Sequence, residues 1–135
     1  MKPVVLDTSA LLALLWQEPG WQTVAALLEA EDCRMSSVNL AEFVAKVQEK
    51  QPDPRQIQRL LDDLPIEVVA HDREQAFATG MLRGPTRHLG LSLGDRACLA
   101  LARKEGACVY TADRPWLEVA APLSLDIRCI RPQTA

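Results

Sequence analysis

The chain of 135 residues is poor in several features that would settle its class at once. Aromatic residues make up only 4%, so its core has to be built from Leu, Val, Ile and Ala. No apolar run near the start approaches the ~20 residues of a membrane-spanning helix; the one there extends only from Ala10 to Trp16. Asp7 interrupts the apolar stretch that a signal peptide keeps continuous. Positive charge is not in excess, since 15 Lys and Arg against 18 Asp and Glu leave a net charge of -3. A basic, charge-driven coat for nucleic acid is therefore excluded, and any such contact must come from a local site. The four cysteines, Cys33, Cys98, Cys108 and Cys129, form no C-x-x-C pair and sit among apolar neighbours. They read as small core residues of a cytoplasmic protein rather than as disulfides or zinc ligands.

What is present is a hydrophobic content of 48%, enough for one domain spanning residues 1–135. Short β-like runs at Val4-Val5-Leu6, Cys33 to Ser36, Ile66 to Ala70, Cys108 to Thr111 and Ile127 to Ile130 alternate with helix-period segments. Helices are expected over Ala10 to Trp16, around Trp21, Val24 and Leu28, and through Leu40, Phe43, Val44 and Val47. Others are expected through Ile57, Leu60, Leu61 and Leu64, through Ala76, Phe77 and Met81, and over Leu93 to Lys104, where Gly106 ends the helix. A short helix over Pro115 to Val119 precedes the last strand. This alternation calls for an α/β fold with a mainly parallel sheet covered on both faces. Ligands of such folds bind outside the carboxyl ends of the strands.

Carboxylates gather at those ends. Asp7 directly follows the first strand, Glu42 is expected in the first turn of the helix after the second, and Asp113 follows the fourth by one residue. Asp95 opens the helix leading to the fourth strand, and it joins the others if the break at Gly84-Pro85 lets that helix start at the same edge. Each acid also has a plain structural reading. Asp7 and Asp113 are placed to cap helices, and Asn39-x-x-Glu42 and Ser92-x-x-Asp95 have the spacing of capping boxes. Two features argue for more. The stripe Leu40, Phe43, Val44, Val47 points to the core and leaves Glu42 roughly opposite, free to line a cleft. Asp95 begins a helix apolar almost all round, beside Gly94, and a carboxylate so placed needs a partner. Three or four carboxylates without Cys or His neighbours suit Mg²⁺ or Mn²⁺ rather than Zn²⁺. Such ions activate water and neutralise a phosphoryl group, which would let an acidic chain cut nucleic acid.

Four blocks carry a family resemblance. Val4-Val5-Leu6-Asp7-Thr8-Ser9-Ala10-Leu11-Leu12, followed by Glu18-Pro19-Gly20, resembles the opening of PIN-domain ribonucleases of the VapC toxin type. Ser37-Val38-Asn39-Leu40-Ala41-Glu42 and Gly90-Leu91-Ser92-Leu93-Gly94-Asp95-Arg96-Ala97-Cys98 are similar to its second and third blocks, and Val109-Tyr110-Thr111-Ala112-Asp113-Arg114-Pro115-Trp116 to its fourth. The blocks stand in family order over nearly the whole chain. The resemblance implies a single PIN-like α/β/α sandwich with a five-stranded, mainly parallel sheet. It also implies a metal-dependent endoribonuclease, the homodimeric toxin of a toxin–antitoxin pair, with Mg²⁺ or Mn²⁺ held by Asp7, Glu42, Asp95 and Asp113. Asp7 and Asp95 would then be the main ligands, with RNA as substrate. A small antitoxin would place a basic residue in the acidic pocket.

Thr8 and Thr111 offer hydroxyls to that pocket. Arg83, Arg87, Arg96 and Arg114 are candidate phosphate contacts, although Arg96 and Arg114 sit beside acids and ion pairing competes. His71 reads as a turn residue and His88 as part of a basic segment, since metal-bound water needs no imidazole base. Trp16, Trp21 and Trp116 read as core or dimer contacts. Two rivals stand beside the nuclease. A phosphoacceptor or phosphohydrolase-like α/β domain also places an Asp after its first strand, but the second kind wants another Asp where Ser9 stands, and the first wants an acidic pair near the first strand and a Lys after a late one, neither of which is evident. A non-catalytic binding module would use the acids only as caps.

Overall fold

A computed structural model of the chain describes residues 2–133. Five strands, β1 (Pro3–Leu6), β2 (Asp32–Ser36), β3 (Glu67–Val69), β4 (Cys108–Thr111) and β5 (Ile127–Cys129), form one sheet in the order β3-β2-β1-β4-β5. Every pairing is parallel, with Val4 opposite Cys33 on one side and Cys108 on the other. The helices are α1 (Thr8–Trp16), α2 (Trp21–Ala30), α3 (Ser37–Gln48), α4 (Pro54–Asp63), α5 (Arg73–Met81), α6 (Arg83–Thr86), α7 (Leu93–Glu105) and α8 (Ala120–Leu123). Short 3-10 segments cover Arg87–Leu89 and Arg114–Val119. None of the described helices is long and apolar enough to cross a membrane.

Side chains of a strand alternate between faces, and β1 divides the core accordingly. Val4 and Leu6 pack with Leu11, Val24, Met35 and Phe43 on one side. Val5 packs with Leu99, Leu101, Val109 and Trp116 on the other. On that second side α7 is buried from Arg96 through Ala102, as its near-continuous apolar sequence requires. Gly106 ends it with φ 61°, a left-handed conformation that costs glycine no Cβ clash.

Three local expectations are corrected. Helix α3 begins at Ser37 behind a Ser36 cap, so Glu42 lies in its second turn and Asn39-x-x-Glu42 is not a capping box. Glu42 is also half-buried rather than turned away from the body of the protein. Helix α5 is inverted: Gln75 and Thr79 are buried, while Phe77 and Met81 are 72% and 63% exposed. Its inner face packs on α7, where the Arg96 guanidinium donates to the Thr79 carbonyl at 3.1 Å.

Candidate active site

The strand order reverses around β1, whose neighbours are β2 and β4, and in open parallel sheets ligands bind at the carboxyl edge beside such a reversal. Asp7 stands there, 4% exposed, directly behind β1. Its Oδ1 accepts the Ala10 N–H at 2.8 Å and so caps α1. Thr111 Oγ1, at the end of β4, donates to Asp7 Oδ2 at 2.6 Å. Ser9 Oγ lies 2.8 Å from both carboxylate oxygens and accepts the Ala112 N–H at 2.9 Å. Asp7 is thus both cap and pocket residue, held by hydroxyls from two elements. Burial is the main cause of a pKa pushed up to about 6; Thr111, Ala10 and Ser9 oppose it, and Asp95 adds repulsion.

Helix α7 starts at the same edge. Ser92 Oγ accepts the Asp95 N–H at 3.1 Å and Asp95 Oδ2 accepts the Ser92 N–H at 3.0 Å, a complete capping box. Burial raises the pKa of half-buried Asp95, the Ser92 bonds lower it, and Glu42 and Asp113 raise it further. Glu42 Oε1 accepts from Thr8 Oγ1 at 2.7 Å and from Asn39 Nδ2 at 2.9 Å. Its carboxylate lies directly over the Cα of Gly94. Asp113 is exposed, and its N–H donates to Thr111 Oγ1 at 3.0 Å. The convergence registers even inside α7. Burial first, then Asp7, Asp95 and Glu42, push the Cys98 thiol well above its ordinary range.

The fold therefore brings Asp95 into electrostatic reach of Asp7, Glu42 and Asp113. Among the described residues, none of the four is in an ion pair. Nor do three acids, histidines or cysteines stand close enough among those residues to hold a metal ion as they are. The donor set is nonetheless all oxygen, and two of its carboxylates are raised by burial and mutual repulsion, which is the chemistry a hard cation relieves. Arg96 is only 8% exposed and spent on Thr79, so it is not available to a phosphate. Arg114 is exposed and donates to the Arg131 carbonyl at 2.7 Å. His71 is half-buried behind β3 and His88 is exposed in a 3-10 turn. Sequence reasoning missed the parts played by Ser9 and Asn39, although the signals were there, in a hydroxyl two residues beyond Asp7 and an i, i+3 pair ending at Glu42. Gly94, singled out beside Asp95, is where the Glu42 carboxylate packs.

An open, parallel α/β domain with unneutralised carboxylates at its switch point defines the class. The family description "PIN domain" matches residues 4–122. A VapC ribonuclease of Mycobacterium bovis is 36% identical over 76% of this chain and 85% of its own, and Ribonuclease VapC42 of Mycobacterium tuberculosis is similar to the same extent. The fold is shared with VapBC2 from Rickettsia felis bound to a promoter DNA fragment, at TM-score 0.72 and 22% identity over 94% of this chain and 98% of that one. DNA-bound VapBC from Salmonella typhimurium gives TM-score 0.72 at 19% identity over 96% and 99%. The chain belongs to the PIN-domain family, among its VapC-type members.

Proposed function

We propose that the protein is a Mg²⁺- or Mn²⁺-dependent endoribonuclease acting as the toxin of a toxin–antitoxin pair. The observation that carries the reading is a group of four acids, three of them with carboxylates held by neutral donors and the fourth exposed, with no arginine or lysine among the described residues in an ion pair with any of them. Asp7 and Asp95 would hold the cation, with Glu42 and Asp113 completing its surroundings. When bound, the cation supplies an activated water and neutralises charge on the scissile phosphodiester. Ser9 and Thr111 fix the Asp7 carboxylate, so the pocket is set before substrate arrives. Exposed Asp113 stands where an approaching backbone meets the site first.

The relatives named above are ribonucleases, and the solved neighbours include a toxin–antitoxin complex from Klebsiella pneumoniae. By the same electrostatics, an antitoxin would silence this chain by placing an Arg or Lys against Asp7, Asp95 or Asp113. The reading also includes a homodimer, which sedimentation of the purified protein tests directly. For the activity, the purified protein is incubated with total RNA and Mg²⁺ or Mn²⁺, with an EDTA control, and the new ends are mapped. Discrete, EDTA-sensitive ends are expected. Intact RNA, or cleavage indifferent to EDTA, would sink the assignment.

A further inference from the structure

A glutamate on a helix surface has many rotamers, so its place in a site has to be enforced by neighbours. For Glu42 the enforcement comes from a buried amide. Asn39, one turn earlier on α3, is 1% exposed. Its Nδ2 donates to Glu42 Oε1 at 2.9 Å and to the Gly94 carbonyl at 2.9 Å. The two protons of one nitrogen thereby join α3 to the first turn of α7. Asn39 Oδ1 is left buried without a partner, a state that costs free energy. Turning the amide over would not relieve it, because Oδ1 would then face a carboxylate and a carbonyl. The orientation is therefore dictated by Glu42 and Gly94.

Gly94 supplies the seat. A Cβ there would overlap the Glu42 carboxylate, so only glycine lets that carboxylate rest on the start of α7. Thr8 Oγ1 closes the arrangement, donating to Glu42 Oε1 at 2.7 Å and lying 3.2 Å from the Asn39 carbonyl. Both donors take Oε1. Glu42 Oε2 has no hydrogen-bond partner among the described residues.

We infer that Asn39 is a positioning residue, whose amide clamps α3 to the Gly94 backbone and holds Glu42 with Oε2 as its single working oxygen. The inference rests on the nuclease reading for its consequence, but the clamp itself is a property of the fold. Glu42 then serves the pocket through one oxygen, and loss of Asn39 acts on cation binding through Glu42, while the bond to the Gly94 carbonyl adds to the fold alone.

The test is a double-mutant cycle with two readouts on the full chain. The first is the Kd for Mn²⁺, read from the free-ion paramagnetic resonance signal. Asn39→Ala should weaken it about tenfold or more, the range for groups that orient a ligand. In a Glu42→Gln background the same change should do nothing further. Asn39→Asp keeps the shape but removes the donor, so it should bind Mn²⁺ at least as poorly as Asn39→Ala; wild-type binding by the Asp variant would mean that the amide only fills space. The second readout is the apo melting temperature. The losses of Asn39→Ala and Glu42→Ala together should clearly exceed the loss of the double variant. Additive losses would overturn the clamp even if Mn²⁺ binding and cleavage are normal. Coupled losses in a protein that neither binds Mn²⁺ nor cuts RNA would keep the clamp and remove the nuclease reading.

Discussion

The two edges of the sheet treat their acids in opposite ways. At the amino edge Asp32 opens β2, Glu67 opens β3, Glu105 ends α7 and Asp126 precedes β5. Each meets a guanidinium. Arg34 reaches Asp32 at 2.6 Å, Glu105 at 2.9 Å and Glu67 at 3.5 Å, and Arg128 reaches Asp126 at 3.1 Å. The hydrogen bond from Arg34 holds the Asp32 carboxyl below its usual range. At the carboxyl edge Asp7, Glu42 and Asp95 receive hydroxyls, an amide and backbone N–H groups, which orient a carboxylate without cancelling its charge. Burial and repulsion accordingly push Asp7 and Asp95 up. One edge is electrostatically finished by its guanidinium groups; at the other, none of the acids is in an ion pair among the described residues.

The contrast breaks hardest if a charge is taken from the carboxyl edge. Asp7→Asn keeps the cap on α1, because Asn caps a helix about as well as Asp. RNA cleavage should nevertheless fall by ~10²–10³, the usual cost of losing one well-placed charge-stabilising group. A wild-type initial rate would reduce Asp7 to a cap. Gly94→Ala should come next, with a loss of about tenfold or more as the new methyl evicts Glu42, comparable to disturbing a supporting residue. An unchanged rate would show that Glu42 is not needed where it stands.

Stability against pH sharpens the same contrast through its sign. Asp7 has its folded pKa raised from 3.8 to about 6, so its ionisation costs the fold stability above that value. As pH falls from 7 through 6 towards 4 the penalty is relieved, by a total on the order of 3 kcal/mol from the linkage relation. Metal-free wild type should therefore gain on Asp7→Asn over this window in paired thermal melts. A constant gap between the two would contradict the buried, repelled state of Asp7. Asp32 runs the other way, since its lowered pKa gives stability at neutral pH that is lost only as pH falls through that depressed value. The smallest effect is expected from Arg34→Gln at the amino edge, a slight drop in melting temperature with cleavage unaltered. A matching loss of cleavage would mean that the edges are not independent.

Much of this was legible because it is written in periodicity. Strands such as Cys108–Thr111 and the buried α7 follow from apolar pattern and the Gly106 stop. The acids were legible because parallel topology sends whatever follows a strand to one edge. What failed depended on contacts between distant segments. Asn39 and Glu42 imitate a capping box in sequence, yet Ser36 starts the helix and Asn39 instead reaches Gly94, fifty-five residues on. The inversion of α5 escaped because Gln75 and Thr79 are buried through tertiary packing, which no local propensity encodes. Ser9 lay outside the helix expected from Ala10, and its role rests on Asp7 and on Ala112, which is 103 residues further along the chain.

If the acids of the carboxyl edge act together on one divalent cation, that ion should stabilise the folded chain. The most direct measurement is the melting temperature of the metal-free protein titrated with Mn²⁺ or Mg²⁺ at constant ionic strength, beside Asp95→Asn. A ligand that binds only the folded state raises it by mass action. Wild type should show a saturable rise at millimolar ion, and Asp95→Asn a much smaller one. No rise, or an equal rise in both proteins, would contradict the account.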